Sequence, residues 1–378
     1  MKTPLIMTPG PTYIHETVRR ALSQEITNPD LDRNFYEFYK ETCNQLQKLF
    51  NTTNEIFILN GEGILGLEAA CASLIEQGDK VLCIDNGIFG NGFADFAKLY
   101  GGDVTYYKCD RRKPVSPEDL ETFLAENHDF KVATLVHCET PSGITNPVQS
   151  LCPLLKKYGI ITVIDSVSAL GGEELRSDDW GMDIVLAGSQ KCLSSTPGLT
   201  MISISPDAWE KILNRQQPIT GFYCNLSIWQ NWYEEKWFPY TQPISDISAL
   251  REAVERVLAE GAESAEGSSI HRHRRIAAAV RESVINSGLE LYALEGFSNT
   301  VTTILVPEGI HFSELFDDML RDHSIMIAGA FDYLKDKVFR IGHMGENCRE
   351  EKLYLTLKAL DSVFKKHNIA LNRELHKE

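Results

Sequence analysis

The chain is predicted to be an α/β protein, with a large domain built on a largely parallel, seven-stranded-type sheet covered by helices and a smaller C-terminal α/β domain. Three observations lead there. From about Glu62 to Met201, short apolar runs of strand character alternate with helical patterns, as a parallel sheet joined by crossover helices requires. One such run, Ile160 to Ile164, ends in Asp165-Ser166-Val167-Ser168, and a lysine, Lys191, follows inside Gly188-Ser189-Gln190-Lys191-Cys192, where sheets of this kind place their ligands. Last, the aromatic segment Phe222 to Tyr240 breaks the alternation, and a chain of 378 residues is too long for one ordinary core. The expected division is a large domain of residues 1–245, opened by an arm of residues 1–20, and a small domain of residues 246–378.

The elements follow in order. Asn60-Gly61-Glu62-Gly63 turns a strand into a helix from Leu65 to Ile75. Strand Lys80 to Asp85, helix Phe93 to Tyr100, strand Asp103 to Cys109, helix Pro117 to Glu126 and strand Lys131 to His137 continue the alternation, then helix Cys152 to Tyr158 leads into the strand ending at Asp165. Strands Asp183 to Ala187 and Leu199 to Ser203 complete the sheet. The segment with Trp229, Trp232 and Trp237 is too apolar for an exposed linker and is expected to pack on a partner subunit. Beyond it come helices Ile247 to Glu260 and Glu263 to Ser287, strand Thr300 to Val306, helix Phe312 to Asp322, a short strand carrying Arg340, and helix Arg349 to Lys365. There is no internal repeat.

Composition narrows the function. A net charge of −16 disfavours nucleic acid and anionic membranes, which demand a concentrated basic surface. The one basic run, His271-Arg272-His273-Arg274-Arg275, reads as a solvated helix face. Nine cysteines show no paired metal spacing and read as reduced, mostly buried thiols, and no metal constellation is found. With no apolar signal core after Met1 and no membrane-length apolar run, the expected location is the cytoplasm.

The pairing of Asp165 with Lys191 suggests pyridoxal chemistry. A buried carboxylate at a strand end can keep a pyridine nitrogen protonated, and a nearby lysine can condense with an aldehyde carbon and later carry a proton. Other strand ends supply matching parts: Phe89 a stacking face, Thr140 a hydroxyl for a ring oxygen, Arg340 a fork for a substrate carboxylate. In the glycine turn, backbone N–H groups at a helix start would welcome an anion, but Glu62 already occupies that positive end and would repel a phosphate. A neutral, hydroxyl-bearing ligand suits it better. His343 reads as a structural turn residue.

These residues resemble the class V, fold-type I pyridoxal-phosphate enzymes, in particular the alanine–glyoxylate and serine–pyruvate aminotransferase group, from Thr8-Pro9-Gly10-Pro11 to Arg340-Ile341-Gly342. The resemblance implies that Lys191 bonds the aldehyde carbon, Asp165 pairs with the ring nitrogen, Val167 and Phe89 cover its two faces, and Thr140 meets the ring hydroxyl. Gly63, Gln190 and Thr241 complete the ring and phosphate contacts, and Arg340 binds the amino- or keto-acid carboxylate. It also implies a homodimer or dimer of dimers, with Phe238 to Thr241 reaching into the neighbour's site. Two departures stand out: Glu62 replaces the group's phosphate-binding hydroxyl, and Phe238 its tyrosine. Glutamate in the turn, with the Thr-Pro-Ser-Gly, Lys-Cys-Leu and Arg-Ile-Gly-His-Met-Gly stretches, is similar to the pyridoxamine–pyruvate transaminases, for which vitamin B6 is the substrate. The expectation is therefore a transaminase taking pyridoxamine and pyruvate to pyridoxal and L-alanine, with an alanine–glyoxylate or serine–pyruvate aminotransferase holding pyridoxal 5'-phosphate as the alternative. A cysteine desulfurase needs a mobile cysteine, for which Cys348 is the one C-terminal candidate. A non-catalytic vitamin-binding protein is disfavoured by Lys191 and Asp165.

Overall fold

The computed structural model describes residues 3–261 and 265–377. Its centre is a seven-stranded sheet built from β1 (Ile56–Asn60), β2 (Lys80–Asp85), β3 (Asp103–Lys108), β4 (Val132–Val136), β5 (Ile161–Asp165), β6 (Ile184–Gly188) and β7 (Leu199–Ile204), in spatial order β1-β7-β6-β5-β4-β2-β3. Only β7 runs against its neighbours β1 and β6, so six strands end on the same edge. Strands β4, β5 and β6 are buried along their whole length, whereas β3, at the sheet's edge, leaves alternate residues in contact with water. That contrast explains why the interior strands read as unbroken apolar runs.

A second sheet of β8 (Val301–Leu305), β10 (Val338–Gly342) and β9 (Ala328–Gly329), in that order and antiparallel, carries the smaller core with helices Ser269–Asn286, Phe312–His323 and Glu350–Lys366. The proposed division at residue 245 is crossed in both directions. Met7 of the arm packs in the small core, while Ile247, Leu250 and Val254 of helix Ile244–Ala259 pack in the large one.

Several expectations change. Helix Arg33–Phe50, capped by Asp32, was not foreseen, and it buries Phe35, Tyr36, Tyr39, Leu46 and Phe50 against the large core. Helix Ile88–Leu99 starts five residues ahead of Phe93, because its first turn is held from elsewhere in the fold. Helix Ser269–Asn286 starts after the expected Glu263, which lies outside the described residues together with Ser264. Only part of the basic run is a solvated face: Arg274 and Arg275 are exposed, whereas His273 is fully buried, and Arg272 pairs with Glu260 and donates to the carbonyls of Gly345 and Cys348. A helix packed on a core by one side turns part of any run inward, whatever its charge.

The aromatic segment is corrected too. Trp229 and Trp232 are buried in this chain's own core, and Phe238 is stacked on Tyr36 at 4.5 Å and on Trp232 at 5.3 Å. Phe238 is thus packed within its own chain. Phe222, Tyr223 and Trp237 remain about half exposed.

Candidate active site

The ends of β1, β2, β4, β5 and β6 surround a small cavity of about 90 Å³. Eight of the ten expected residues line it: Glu62 and Gly63 after β1, Phe89 after β2, Thr140 after β4, Asp165 and Val167 at and after β5, and Gln190 and Lys191 after β6. Residues as much as 129 positions apart in sequence, Glu62 and Lys191, meet there because parallel strands carry successive loops to one edge. A larger cleft between helices Ser269–Asn286 and Glu350–Lys366 contains none of them.

At the reacting end, Lys191 Nζ donates to the Pro9 carbonyl at 2.8 Å. Burial depresses its pKa, the Arg340 cation depresses it further, and Asp165 opposes both. An amine that loses its proton readily is the nucleophile such a site requires. The arm lies so close that a Cβ on Gly10 would fall 2.4 Å from Lys191 Cδ, and Gly10 has a φ of +92°. No other residue fits there. The role of Pro9 and Gly10 went unread in the sequence, where a glycine between two prolines was the available signal.

Asp165 is buried, and desolvation raises its pKa to about 6 although the Val167 amide donates to its Oδ1 at 2.8 Å and Lys191 lies near. Glu62 pushes in the same direction as burial. A cationic ring nitrogen would give this carboxylate the countercharge it lacks. Thr140 shares a hydrogen bond with Ser168 at 3.2 Å, and Val167 and Phe89 offer the apolar faces.

The opposite end is rich in acceptors. Glu62 caps helix Gly63–Leu74, its Oε1 accepting from the Ile64 amide at 3.3 Å, while Gln190 Nε2 donates to its Oε2 at 3.5 Å. That leaves Gln190 Oε1 buried with no partner among the described residues. Flipping the amide would set two acceptors face to face, so the unpaired atom is the oxygen. A buried polar atom without a partner is uncommon and marks a place for a ligand donor.

Two expected residues stand outside the cavity lining. Arg340 on β10 is nearly buried, close enough to Lys191 to depress its pKa, and its Nε donates to the Gly329 carbonyl at 2.7 Å. Among the described residues its Nη amines make no other hydrogen bond, which suits a carboxylate arriving from the cavity. Burial lowers the Arg340 pKa to about 10. Arg111 is held by both oxygens of Asp85 and packs on Tyr333. Thr241 is exposed and donates to Asp30 at 3.2 Å, away from its own chain's cavity. Phe331 meets Phe89 edge-on, with centroids 5.9 Å apart.

Other expectations resolve simply. All nine cysteines are free and seven are buried; Cys348 is one of these, with burial pushing its thiol up to about 12, unlike the mobile cysteine a desulfurase needs. His343 is a buried structural residue, bonded to Thr302 and to the Asn299 carbonyl. Among the described residues no helix is long and apolar enough to cross a membrane.

A mixed, mostly parallel seven-stranded sheet with a small C-terminal sheet, and a lysine and carboxylate at adjacent strand ends, is the fold-type I aminotransferase fold. Residues 10–329 match the model of the family described as aminotransferase class-V, and the chain belongs to that family. It is 35% identical to an uncharacterized aminotransferase of Methanocaldococcus jannaschii, over 96% of this chain and 92% of that one. It is 32% identical to the pyridoxamine–pyruvate transaminase of Mesorhizobium japonicum, over 94% and 90%. The crystal structure of the ureidoglycine–glyoxylate aminotransferase of Bacillus subtilis superimposes with a TM-score of 0.94 at 31% identity, covering 100% of this chain and 97% of that one.

Proposed function

We propose that this aminotransferase exchanges amino and keto groups between pyridoxamine and pyruvate, giving pyridoxal and L-alanine, and that vitamin B6 enters and leaves as substrate. One observation carries the reading: the cavity's far end presents the Glu62 carboxylate and the unpaired Gln190 Oε1 at the start of helix Gly63–Leu74. Both accept hydrogen bonds. A hydroxymethyl group donates one, whereas a phosphate at neutral pH has only acceptors and charge to offer, beside a carboxylate already seated on the helix end.

The residues fit a pyridoxal ring, which when bound supplies an aldehyde or amine carbon and an electron sink. Asp165 keeps the ring nitrogen's proton in place, Phe89 and Val167 hold the ring flat, and Thr140 orients it. Lys191 moves a proton between the amine-bearing carbon of the amino acid and the carbon outside the ring, a step worth about 10²–10⁴-fold. Arg340 binds the carboxylate of pyruvate or L-alanine through its Nη amines. The proposed unit is a homodimer or dimer of dimers, which the half-exposed Phe222, Tyr223 and Trp237 support and in which Thr241 would reach the neighbour's site.

A second reading has its own support. An alanine–glyoxylate aminotransferase of Drosophila melanogaster is 29% identical over 98% of this chain and 95% of that one, which favours an alanine–glyoxylate or serine–pyruvate type of aminotransferase that retains pyridoxal 5'-phosphate. Absorbance of the purified, desalted protein separates the two. On the first reading it arrives colourless, binds pyridoxal in preference to pyridoxal phosphate and releases pyridoxamine when given L-alanine. A yellow protein with retained phosphate establishes the second.

A further inference from the structure

We propose that Glu139, which follows β4, is a positioning residue that fixes the plane of the Phe89 ring against the ligand; this rests on the reading of Phe89 as the stacking face. Helix Ile88–Leu99 starts at Gly87, whose hydrogen side chain cannot cap it. The vacancy is filled across the sheet. Glu139 Oε1 accepts from the Phe89 amide and Oε2 from the Gly90 amide, both at 2.9 Å, and the residue is fully buried. Its own backbone is held in turn, since its carbonyl accepts from the Gly143 amide at 2.9 Å and from Ser142 Oγ at 3.1 Å. The next residue, Thr140, lines the cavity.

One side chain therefore ties together two walls of the site, the ring face after β2 and the hydroxyl after β4. Both oxygens are needed. A glutamine at this position has one acceptor and one NH₂, and the NH₂ would oppose an N–H, freeing either Phe89 or Gly90. Gly87 is explained by the same arrangement: a Cβ there would lie 2.2 Å from Glu139 Cγ and 2.4 Å from its Cδ, although the backbone is extended and open to any residue. Gly87→Ala thus displaces the carboxylate without deleting it.

The test measures pyridoxal affinity by absorbance titration, together with the visible circular dichroism of bound pyridoxal, in Glu139→Gln, Gly87→Ala, Phe89→Ala and the double variant Glu139→Gln/Phe89→Ala. Losing an aligned ring contact predicts affinity weaker by about three- to tenfold in each single variant. The dichroism of bound pyridoxal falls to the Phe89→Ala level, KM for L-alanine is unchanged, and the double variant binds no more weakly than Phe89→Ala alone. Additive losses in the double variant, or wild-type affinity in Glu139→Gln beside a weakened Phe89→Ala, overturn the proposal. Wild-type affinity in Phe89→Ala overturns the stacking reading itself, and the proposal falls with it. Should Glu139→Gln fail to fold, Gly87→Ala decides by the same criteria.

Discussion

Two helices point their N-termini at the cavity, and both are capped by a glutamate, yet the two caps are unlike. Glu62 caps its own helix from the adjacent position, is exposed, and reaches the Ile64 amide at 3.3 Å. Glu139 caps helix Ile88–Leu99 from another strand, is fully buried, and holds two amides at 2.9 Å, with desolvation raising its pKa to about 7 against the pull of those bonds. The lesson is that one chemical device serves two ends. A loose local cap leaves an oxygen for the ligand, and a tight remote cap leaves nothing for the ligand but holds the surface on which it rests.

The largest effect should come from the amine between the two caps. Lys191→Ala is expected to lower kcat by about 10²–10⁴-fold while both helix starts stay intact, as amide-region circular dichroism would confirm. Retained turnover would remove Lys191 from the chemistry. Asp165→Asn should also lose most activity, and it carries a pH signature. Because burial raises its pKa to about 6, the ligand-free fold binds that proton more tightly than the unfolded chain does. Its stabilisation is full below the unfolded pKa and fades as pH rises through about 6. Asp165→Asn should therefore raise the ligand-free Tm at pH 8, by the equivalent of at most about 3 kcal/mol, and by roughly half as much at pH 5. An equal gain at both pH values would refute the desolvated carboxylate.

Glu62→Ser tests the exposed cap as a filter. Removing the carboxylate should shift the ratio of pyridoxal phosphate to pyridoxal affinity by about tenfold or more toward the phosphate, a difference of roughly 1–2 kcal/mol. An unchanged ratio would assign discrimination elsewhere. The smallest effect is on stability: Glu62→Ala, losing only an exposed cap, should cost under about 1 kcal/mol in urea denaturation. A larger loss would mean that Glu62 is as structural as Glu139.

Legibility followed the same local and remote split. Asp165 and Lys191 could be read because each ends an apolar run, and Glu62 because a carboxylate in a glycine turn before a helix has a fixed electrostatic meaning. Glu139 was visible only as part of a loop with Pro141 and Gly143, since nothing near it in sequence names Phe89 as its partner. Arg272, Trp229 and Trp232 were misplaced for a related reason. Charge and aromaticity suggest a surface, but Arg272 found Glu260 and the turn carbonyls, and Trp229 found Phe57 and Tyr39. Helix Arg33–Phe50 precedes the alternating region and went unread with its aromatic face.

By itself the sequence determined the alternation of strands and helices from Glu62 to Met201, the residues at those strands' ends and the character of the turn at Glu62, all of which depend on neighbours a few positions away. Which helix end Glu139 would close, how near the arm would bring Pro9 to Lys191, and that Arg340 would lie beside that amine were decided only by the fold. Desolvation and hydrogen-bond geometry act over a few ångströms of space, and only packing brings residues far apart in the chain within that range.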